Sequence, residues 1–214
     1  MIKIISFDAD GTLVDRHFMD YFWNIGIPEI YAKKNNISPE KAEEKIFRMY
    51  HEVGENDIRW YTPSYWFSKL GIDETLEETL RMFRHEMRIY PEVNSVLEKL
   101  SKKYELIVIS NAPREILEFE LSYLDEYFSR VFSSTSDYRK VRKTSDVYLN
   151  VTDELDIRPE EMIHVGDHWN FDYLAPRKAG IKTFFVDRSG KKTGKDIVKD
   201  LREFESRVAL SRTC

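Results

Sequence analysis

Short apolar runs alternate with longer amphipathic stretches at both ends of the chain, and this alternation predicts strands separated by helices. Runs rich in β-branched and aromatic residues predict strands at residues 2–7, 105–109, 130–133, 162–165 and 182–186. Helical spacing predicts helices at residues 91–103, 114–124, 145–155 and 170–179, with Gly180 as a helix C-cap and a charged helix near the C-terminus. Strands joined by helices indicate βαβ units, and therefore a parallel sheet with right-handed crossovers.

The stretch between residues 16 and 90 differs from the rest because its apolar positions follow helical spacing only. Ser38 and Thr62 each precede a proline, which is typical of a helix N-cap followed by proline at the first helical position. Gly71 is suited to a helix C-terminus. We therefore predict an all-helical segment inserted after the first strand.

Together these elements predict an α/β fold: a doubly wound, Rossmann-like parallel sheet with an inserted all-helical segment. We expect residues 1–15 and 90–214 to form the α/β core and residues 16–89 to form the inserted domain. A length of 214 residues is sufficient for one such core with a smaller insertion.

Composition and charge narrow the class of protein. Apolar residues make up 42% of the chain and aromatic residues 14%, which is typical of a folded globular protein. The formal net charge of −5 offers no general positive field, which argues against a nucleic-acid partner. Apolar runs fall far short of the roughly 20 residues that cross a bilayer, and no signal-peptide pattern opens the chain. We expect a cytoplasmic monomer or homodimer without a membrane partner, in which the single cysteine, Cys214, is incidental.

Polar residues follow three of the predicted strands at the point where each strand ends. Asp8 follows the first strand, Ser110 the second, and Asp167 the strand at residues 162–165. Ligands of open parallel sheets bind outside the carboxyl ends of the strands, so these residues are expected to converge on one crevice. The oxygens of Asp8, Asp10 and Asp167 would suit a hard cation such as Mg²⁺, and repulsion among the carboxylates also favours a cation there.

The sequence Asp-Ala-Asp-Gly-Thr at residues 8–12 resembles the first signature of the haloacid dehalogenase-like hydrolase superfamily. Three further signatures follow in the family's order, namely Ser110 with Asn111, then Lys143, then Gly166 and Asp167 with Asp172. The resemblance covers residues 1–16 and 90–188. The helical insertion lies where the subclass similar to phosphoglycolate phosphatase carries its C1-type cap, so the resemblance implies a catalytic core and a helical cap.

The resemblance also implies a role for each aspartate of the first signature. Asp8 would be the nucleophile that forms a phospho-aspartyl intermediate, and Asp10 would act as general acid and then general base. Mg²⁺ would be held by Asp8, the main-chain carbonyl of Asp10, and Asp167.

The remaining signature residues are implied to handle the phosphate and to support the metal ligands. Ser110 and the backbone of Asn111 would donate hydrogen bonds to phosphoryl oxygens, and Lys143 would provide a catalytic positive charge for the phosphate and for Asp8. Asp172 would hold the metal ligands in position without binding the metal itself.

Two parts of this match leave alternatives open. Lys143 competes with a basic run of Arg139, Lys140 and Arg142, and Thr144 stands where the family frequently has proline. In the fourth signature, His168 and Phe171 replace the commoner polar residues, so the match departs from the family's pattern around Asp172.

Several aromatic and histidine residues are interpreted as structural. We expect His168, beside Trp169, to be a packed residue rather than a proton carrier. Aromatic residues at helical spacing usually form core, although some could line the substrate face of the cap. This group consists of Trp60, Tyr61, Tyr65 and Trp66, with Arg59 nearby, and the ordinary histidines are His17, His51, His85 and His164.

The expected function is Mg²⁺-dependent hydrolysis of a small phosphorylated metabolite, such as a sugar phosphate or a phosphoglycolate-like phosphomonoester. Asp10 argues against a metal-free dehalogenase, because dehalogenases of the family lack an acid at that position. The alternatives are a phosphomutase, which returns the phosphoryl group to a second hydroxyl, and a non-catalytic protein that binds Mg²⁺ and phosphate and contacts a partner.

Overall fold

The computed structural model describes residues 1–210, so Cys214 lies outside the described residues. The chain forms two compact units: an α/β unit of Met1–Val14 with the chain from Ile89 onward, and a helical unit of Asp15–Arg88. The α-helices, in chain order, are α1 (His17–Tyr21), α2 (Ile27–Asn35), α3 (Pro39–Val53), α4 (Pro63–Leu70), α5 (Leu76–Met82), α6 (Val93–Ser101), α7 (Arg114–Glu120), α8 (Ser145–Glu154), α9 (Ala175–Lys178) and α10 (Leu201–Leu210).

Six parallel strands form the sheet of the α/β unit. They are β1 (Ile4–Phe7), β2 (Glu105–Ser110), β3 (Arg130–Ser133), β4 (Met162–Gly166), β5 (Lys182–Val186) and β6 (Ile197–Val198). Their order is β3-β2-β1-β4-β5-β6, so β1 lies between β2 and β4. Every residue of β1 and β4 is buried, as expected for parallel strands covered on both faces. The structure confirms the predicted α/β fold with a helical insertion after the first strand.

The helical unit is built from helices with identifiable start and stop signals. Pro39 opens α3, and the Ser38 side chain accepts a hydrogen bond from the Lys41 N–H at 3.5 Å. The α4 helix ends at Leu70, and the C-cap that follows is Gly71, whose φ of 64° favours glycine. Fully buried side chains, among them Phe22, Ile27, Ile46, Trp66 and Leu80, form the core of this unit.

Three details differ from the sequence prediction. The Thr62 side chain donates to the carbonyl of Ile58 at 2.9 Å instead of capping α4. The predicted helix at residues 170–179 consists of a π-helical segment, Trp169–Leu174, followed by the short α9. The two-residue strand β6 was not predicted. It is too short for a sequence pattern, and it is a strand only because it pairs with β5 after the intervening loop.

Shorter helical segments complete the chain. The π-helical segments are Phe22–Gly26 and Trp169–Leu174, and the 3₁₀ segments are Ile58–Tyr61, Arg84–Glu86, Asp125–Tyr127 and Pro159–Glu161. Within the described residues, no helix is both long and apolar enough to cross a membrane.

Candidate active site

The pairing of β1 with β4 places two predicted site residues next to each other. Phe7 is in register with Val165, so Asp8 and Gly166 follow at the same level of the sheet. The Asp8 N–H donates to the carbonyl of Val165 at 2.9 Å, which continues the ladder by one residue. Asp8 is therefore held at the carboxyl end of β1, where the residue is 6% exposed.

Three carboxylates converge beyond these strand ends. Oxygens of Asp8, Asp167 and Asp172 all lie within 4.8 Å of one another, so these residues could hold a metal ion. Of the predicted metal ligands, Asp8 and Asp167 belong to this group. Asp10, whose predicted contribution is a main-chain carbonyl, lies two residues beyond Asp8 in a turn where Gly11 has a φ of 78°.

Lys143 is buried among these carboxylates. Its side chain contacts Asp8 Oδ1, lies 2.6 Å from Asp172 Oδ1, and donates to the carbonyl of Ile109 at 3.0 Å. Other residues of the basic run are placed differently. Arg139 and Lys140 are exposed, and Lys140 pairs with Asp146 at 3.1 Å. Burial thus distinguishes Lys143 from its basic neighbours.

Asn111 joins the end of β2 to the segment that carries Lys143. Its Oδ1 accepts from the Lys143 N–H at 2.7 Å and from the Ser134 hydroxyl at 3.1 Å. Ser110, 2% exposed, accepts from the Ala112 N–H at 3.1 Å through its hydroxyl oxygen. The Asn111 side chain therefore holds the segment that carries Lys143. These contacts leave the predicted phosphate contact of Asn111 unaffected, because that contact uses the backbone.

Asp172 is held by the backbone and by histidine. Its Oδ2 accepts from the His168 N–H at 2.9 Å, and its Oδ1 lies 3.3 Å from His164 Nε2. The His168 ring accepts from the Phe171 N–H at 3.3 Å and stacks on Phe171 with centroids 4.1 Å apart. His168 is thus a packed residue that begins the π-helical segment.

His164 was not recognised from the sequence as a site residue. It is completely buried, with Nδ1 2.7 Å from the Ser6 hydroxyl and Nε2 3.0 Å from the Tyr148 hydroxyl. Burial lowers its pKa, which favours the neutral ring. A histidine within an otherwise apolar strand was the available signal, because a buried polar side chain requires partners.

Burial and neighbouring charges set the ionisation of the cluster. Burial, and after it the charge of Asp172, raises the pKa of Asp8 well above its usual range. Burial alone would lower the pKa of Lys143, but the charges of Asp172 and Asp8 raise it above its ordinary value. Although burial opposes ionisation of Asp172, the positive charge of Lys143 lowers the pKa of that carboxyl. A lysine alone therefore does not compensate all of the buried carboxylates.

Glu120 on α7 is another buried residue near the site that the sequence analysis did not identify. It is fully buried, and its pKa is raised well above the usual range, first by burial and then by the charge of Asp10. Nothing in the helical pattern of α7 marks this residue, because its proximity to Asp10 depends on how α7 packs.

Gly166 is required by the close approach of Asp172. A Cβ atom at this position would lie 2.5 Å from both Cβ and Cγ of Asp172. We expect Gly166→Ala to displace Asp172 from Lys143 and to lower kcat/KM by about 10- to 100-fold. Steady-state kinetics on p-nitrophenyl phosphate, with an unfolding curve for each protein, would measure this effect.

Gly194→Ala is the matched control for this substitution. Its new Cβ would meet only the end of the Ile197 side chain, at 3.2 Å, and that end can move. Equal losses in the two variants would contradict a specific role for the Gly166 contact.

Comparisons with known proteins agree with this arrangement. The model of a family described as haloacid dehalogenase-like hydrolase matches residues 2–180. GMP/IMP nucleotidase YrfG of Escherichia coli is 26% identical over 170 residues, covering 78% of this chain and 74% of that protein. Pyrophosphatase PpaX of Bacillus thuringiensis is 31% identical over 198 residues, covering 86% and 83%. A HAD phosphatase from Thermococcus onnurineus has a similar fold, with a TM-score of 0.79 and 23% identity over 97% of this chain and 98% of that one.

Proposed function

This chain belongs to the haloacid dehalogenase-like hydrolases, and we propose that it is a Mg²⁺-dependent phosphatase that hydrolyses a small phosphomonoester through a phospho-aspartyl intermediate on Asp8. In this proposal the α/β unit is the catalytic core and the helical unit is the cap. The proposed boundaries are those predicted from the sequence, with residues 16–89 as the cap.

One observation carries the proposal: three carboxylates and a buried lysine meet at the carboxyl ends of β1 and β4. The oxygens of Asp8, Asp167 and Asp172 lie within 4.8 Å of one another, and Lys143 contacts the first and the third. Such a group combines a nucleophile, oxygen donors for a cation and a fixed positive charge, which are the parts that phosphoryl transfer needs.

The donor set fits Mg²⁺. Carboxylate and carbonyl oxygens are the ligands of hard divalent cations. Burial, and after it the charge of Asp172, raises the pKa of Asp8, so a cation beside Asp8 would favour its ionised form. We propose Asp8, Asp167 and the main-chain carbonyl of Asp10 as the ligands. Asp172 is better placed to support them, because Lys143 and the His168 N–H already engage its two oxygens. When bound, Mg²⁺ would neutralise negative charge between the nucleophile and the phosphate.

Residues of the chain carry out nucleophilic attack, proton transfer and phosphate binding. Asp8 attacks phosphorus, which splits one difficult hydrolysis into two steps. Asp10 protonates the leaving alkoxide and then removes a proton from the water that attacks the phospho-aspartate. The hydroxyl of Ser110, the backbone of Asn111 and the ammonium of Lys143 bind phosphoryl oxygens, and Lys143 also keeps Asp8 oriented.

The names of two relatives support a small phosphorylated substrate. One related protein is named a GMP/IMP nucleotidase and another a pyrophosphatase, so the proposed substrate is a small phosphorylated metabolite. A phosphomutase would use the same nucleophile but release an isomer of its substrate instead of free phosphate. A non-catalytic binding protein would release neither product.

Metal removal tests the proposal. We expect the purified protein to release phosphate from p-nitrophenyl phosphate, and we expect EDTA to abolish this activity. Excess Mg²⁺ should restore it, whereas Ca²⁺ should not, because Ca²⁺ prefers more ligands at longer distances. An undiminished rate in EDTA would contradict the metal dependence, and absence of phosphate release under all conditions would contradict the phosphatase assignment.

A further inference from the structure

A cavity of about 260 Å³ lies entirely within the helical unit. Its lining consists of Met19, Asp20, Trp23, Asn24, Tyr50, Trp60 and Trp66, so it contains three of the four tryptophans of the chain. Of the aromatic group singled out in the sequence, Trp60 and Trp66 line this cavity, while Tyr61 and Tyr65 do not. A cavity with this aromatic content provides stacking surface for a flat ring.

The aromatic walls are fixed in place around Tyr50. Its ring centroid lies 6.3 Å from that of Trp23, 5.8 Å from Trp60 and 4.7 Å from Trp66, with interplanar angles between 60° and 81°. The Tyr50 hydroxyl donates to the carbonyl of Trp23 at 3.3 Å, and the Trp66 indole donates to the carbonyl of Trp60 at 3.0 Å. These contacts keep the cavity formed without a ligand, which reduces the entropy lost on binding.

Polar groups in the lining remain available to a ligand. Asp20 and Asn24 are four positions apart on the stretch where α1 passes into the π-helical segment Phe22–Gly26, and both are exposed. Within residues 1–210, neither side chain makes a hydrogen bond, and neither do the indole N–H groups of Trp23 and Trp60. The lining therefore offers one anionic acceptor together with several neutral donors.

These polar groups restrict which classes of ligand the cavity can bind. A carboxylate beside an amide matches a ring that presents an N–H donor next to a carbonyl acceptor, and the indole N–H groups match further ring acceptors. A quaternary ammonium ion would use the carboxylate and the rings but would leave the donors unsatisfied. A free pyrophosphate would face the negative charge of Asp20.

We propose that this cavity binds a 6-oxopurine base, as found in hypoxanthine and guanine nucleosides and nucleotides. The N1–H and O6 of the base match Asp20 and Asn24, and its two fused rings match the extensive indole surface better than a pyrimidine does. The inference goes beyond the proposed function by assigning a binding site for this base to the helical unit, and it holds whether the substrate or a separate effector carries the base.

Nucleoside binding tests the site without requiring catalysis. We expect inosine to quench the tryptophan fluorescence of the intact protein in a saturable way, and to bind at least about tenfold more tightly than adenosine, 1-methylinosine, uridine or choline. 1-Methylinosine is the sharpest comparison, because it differs from inosine only in having a methyl group in place of the N1–H donor. Absence of saturable quenching by inosine, or equal binding of 1-methylinosine, would overturn the proposal. Tighter binding of uridine or of choline would also overturn it.

Protein variants locate the effect in the helical unit. Asp20→Asn should weaken inosine binding by about tenfold, since a hydrogen bond to a charged acceptor becomes one to a neutral acceptor. Glu43→Gln makes the same change of charge at another exposed position of this unit and should leave binding unchanged. Quenching should persist in Trp169→Phe, which removes the only tryptophan of the α/β unit. Loss of quenching in Trp169→Phe would place the nucleoside elsewhere and contradict the proposal.

Kinetics separate the two possible sources of the base and the two proposals. If the base belongs to the substrate, inosine should raise the KM for inosine 5′-monophosphate without changing kcat. If the base belongs to a separate effector, inosine should change the turnover of p-nitrophenyl phosphate without competing with the nucleotide. Hydrolysis of p-nitrophenyl phosphate without inosine binding would refute this inference and leave the phosphatase assignment intact. Inosine binding without any hydrolysis would refute the phosphatase assignment and leave this inference intact.

Discussion

Replacing Asp8 with asparagine is expected to lower kcat for p-nitrophenyl phosphate by at least about 10⁴-fold. Asparagine has nearly the same shape as aspartate, but its amide is a poor nucleophile and forms no acyl-phosphate. The residue also lies at the strand end where its N–H pairs with Val165, and asparagine retains this N–H. Steady-state kinetics would measure the loss, and circular dichroism would show that the secondary structure is retained.

The matched control for this variant is Asp153→Asn. Asp153 is an exposed carboxylate on α8, and its substitution removes the same charge from the same unit. We expect its activity to equal that of the unaltered protein. Phosphate release by the Asp8 variant at the unaltered rate would refute the role of Asp8 as nucleophile.

Replacing Lys143 with methionine is expected to abolish activity and to destabilise the protein by about 3–5 kcal/mol. Lys143 is 1% exposed and contacts Asp8 and Asp172. Without its charge, two buried carboxylates would lie close together without a compensating cation. Their burial would then raise the free energy of the folded state. Urea unfolding measured in EDTA would give the change in the free energy of unfolding.

Lys140→Met provides the comparison for the Lys143 variant. Lys140 is three positions away in the chain, and its pair with Asp146 is exposed on both sides. Such pairs contribute about 0–1 kcal/mol, so this variant should unfold almost like the unaltered protein. Combining Lys143→Met with Asp8→Asn should recover part of the lost stability, because it removes one of the two uncompensated carboxylates. Equal stability of the Lys143 and Lys140 variants would show that the buried ion pairs do not stabilise the fold.

The positions of Asp8 and Asp167 illustrate what could be predicted from sequence. Each follows an apolar β-branched run, and a run of this kind is a local property of consecutive residues. Helix start and stop signals such as Ser38-Pro39 and Gly71 are local as well. The fold class followed from these local patterns, because strands separated by helices have few ways to form one sheet.

Local patterns did not extend to contacts between distant residues. Lys143 could not be separated from Lys140 by composition, whereas burial against Asp8, 135 positions away, distinguishes the two at once. His164 was interpreted as ordinary, yet it lies between Ser6 and Tyr148. Glu120 lies beside Asp10 only because of the way α7 packs.

The same limit explains the cavity of the helical unit. Aromatic residues at helical spacing predict a buried face, and Trp66 is indeed 1% exposed. Only the packing of α1 and the following π-helical segment against Tyr50 and Trp60 creates an open volume with Asp20 and Asn24 in its lining. Hydrophobic periodicity reports which side of a helix is buried, but the shape of the space left between packed side chains depends on all the helices together.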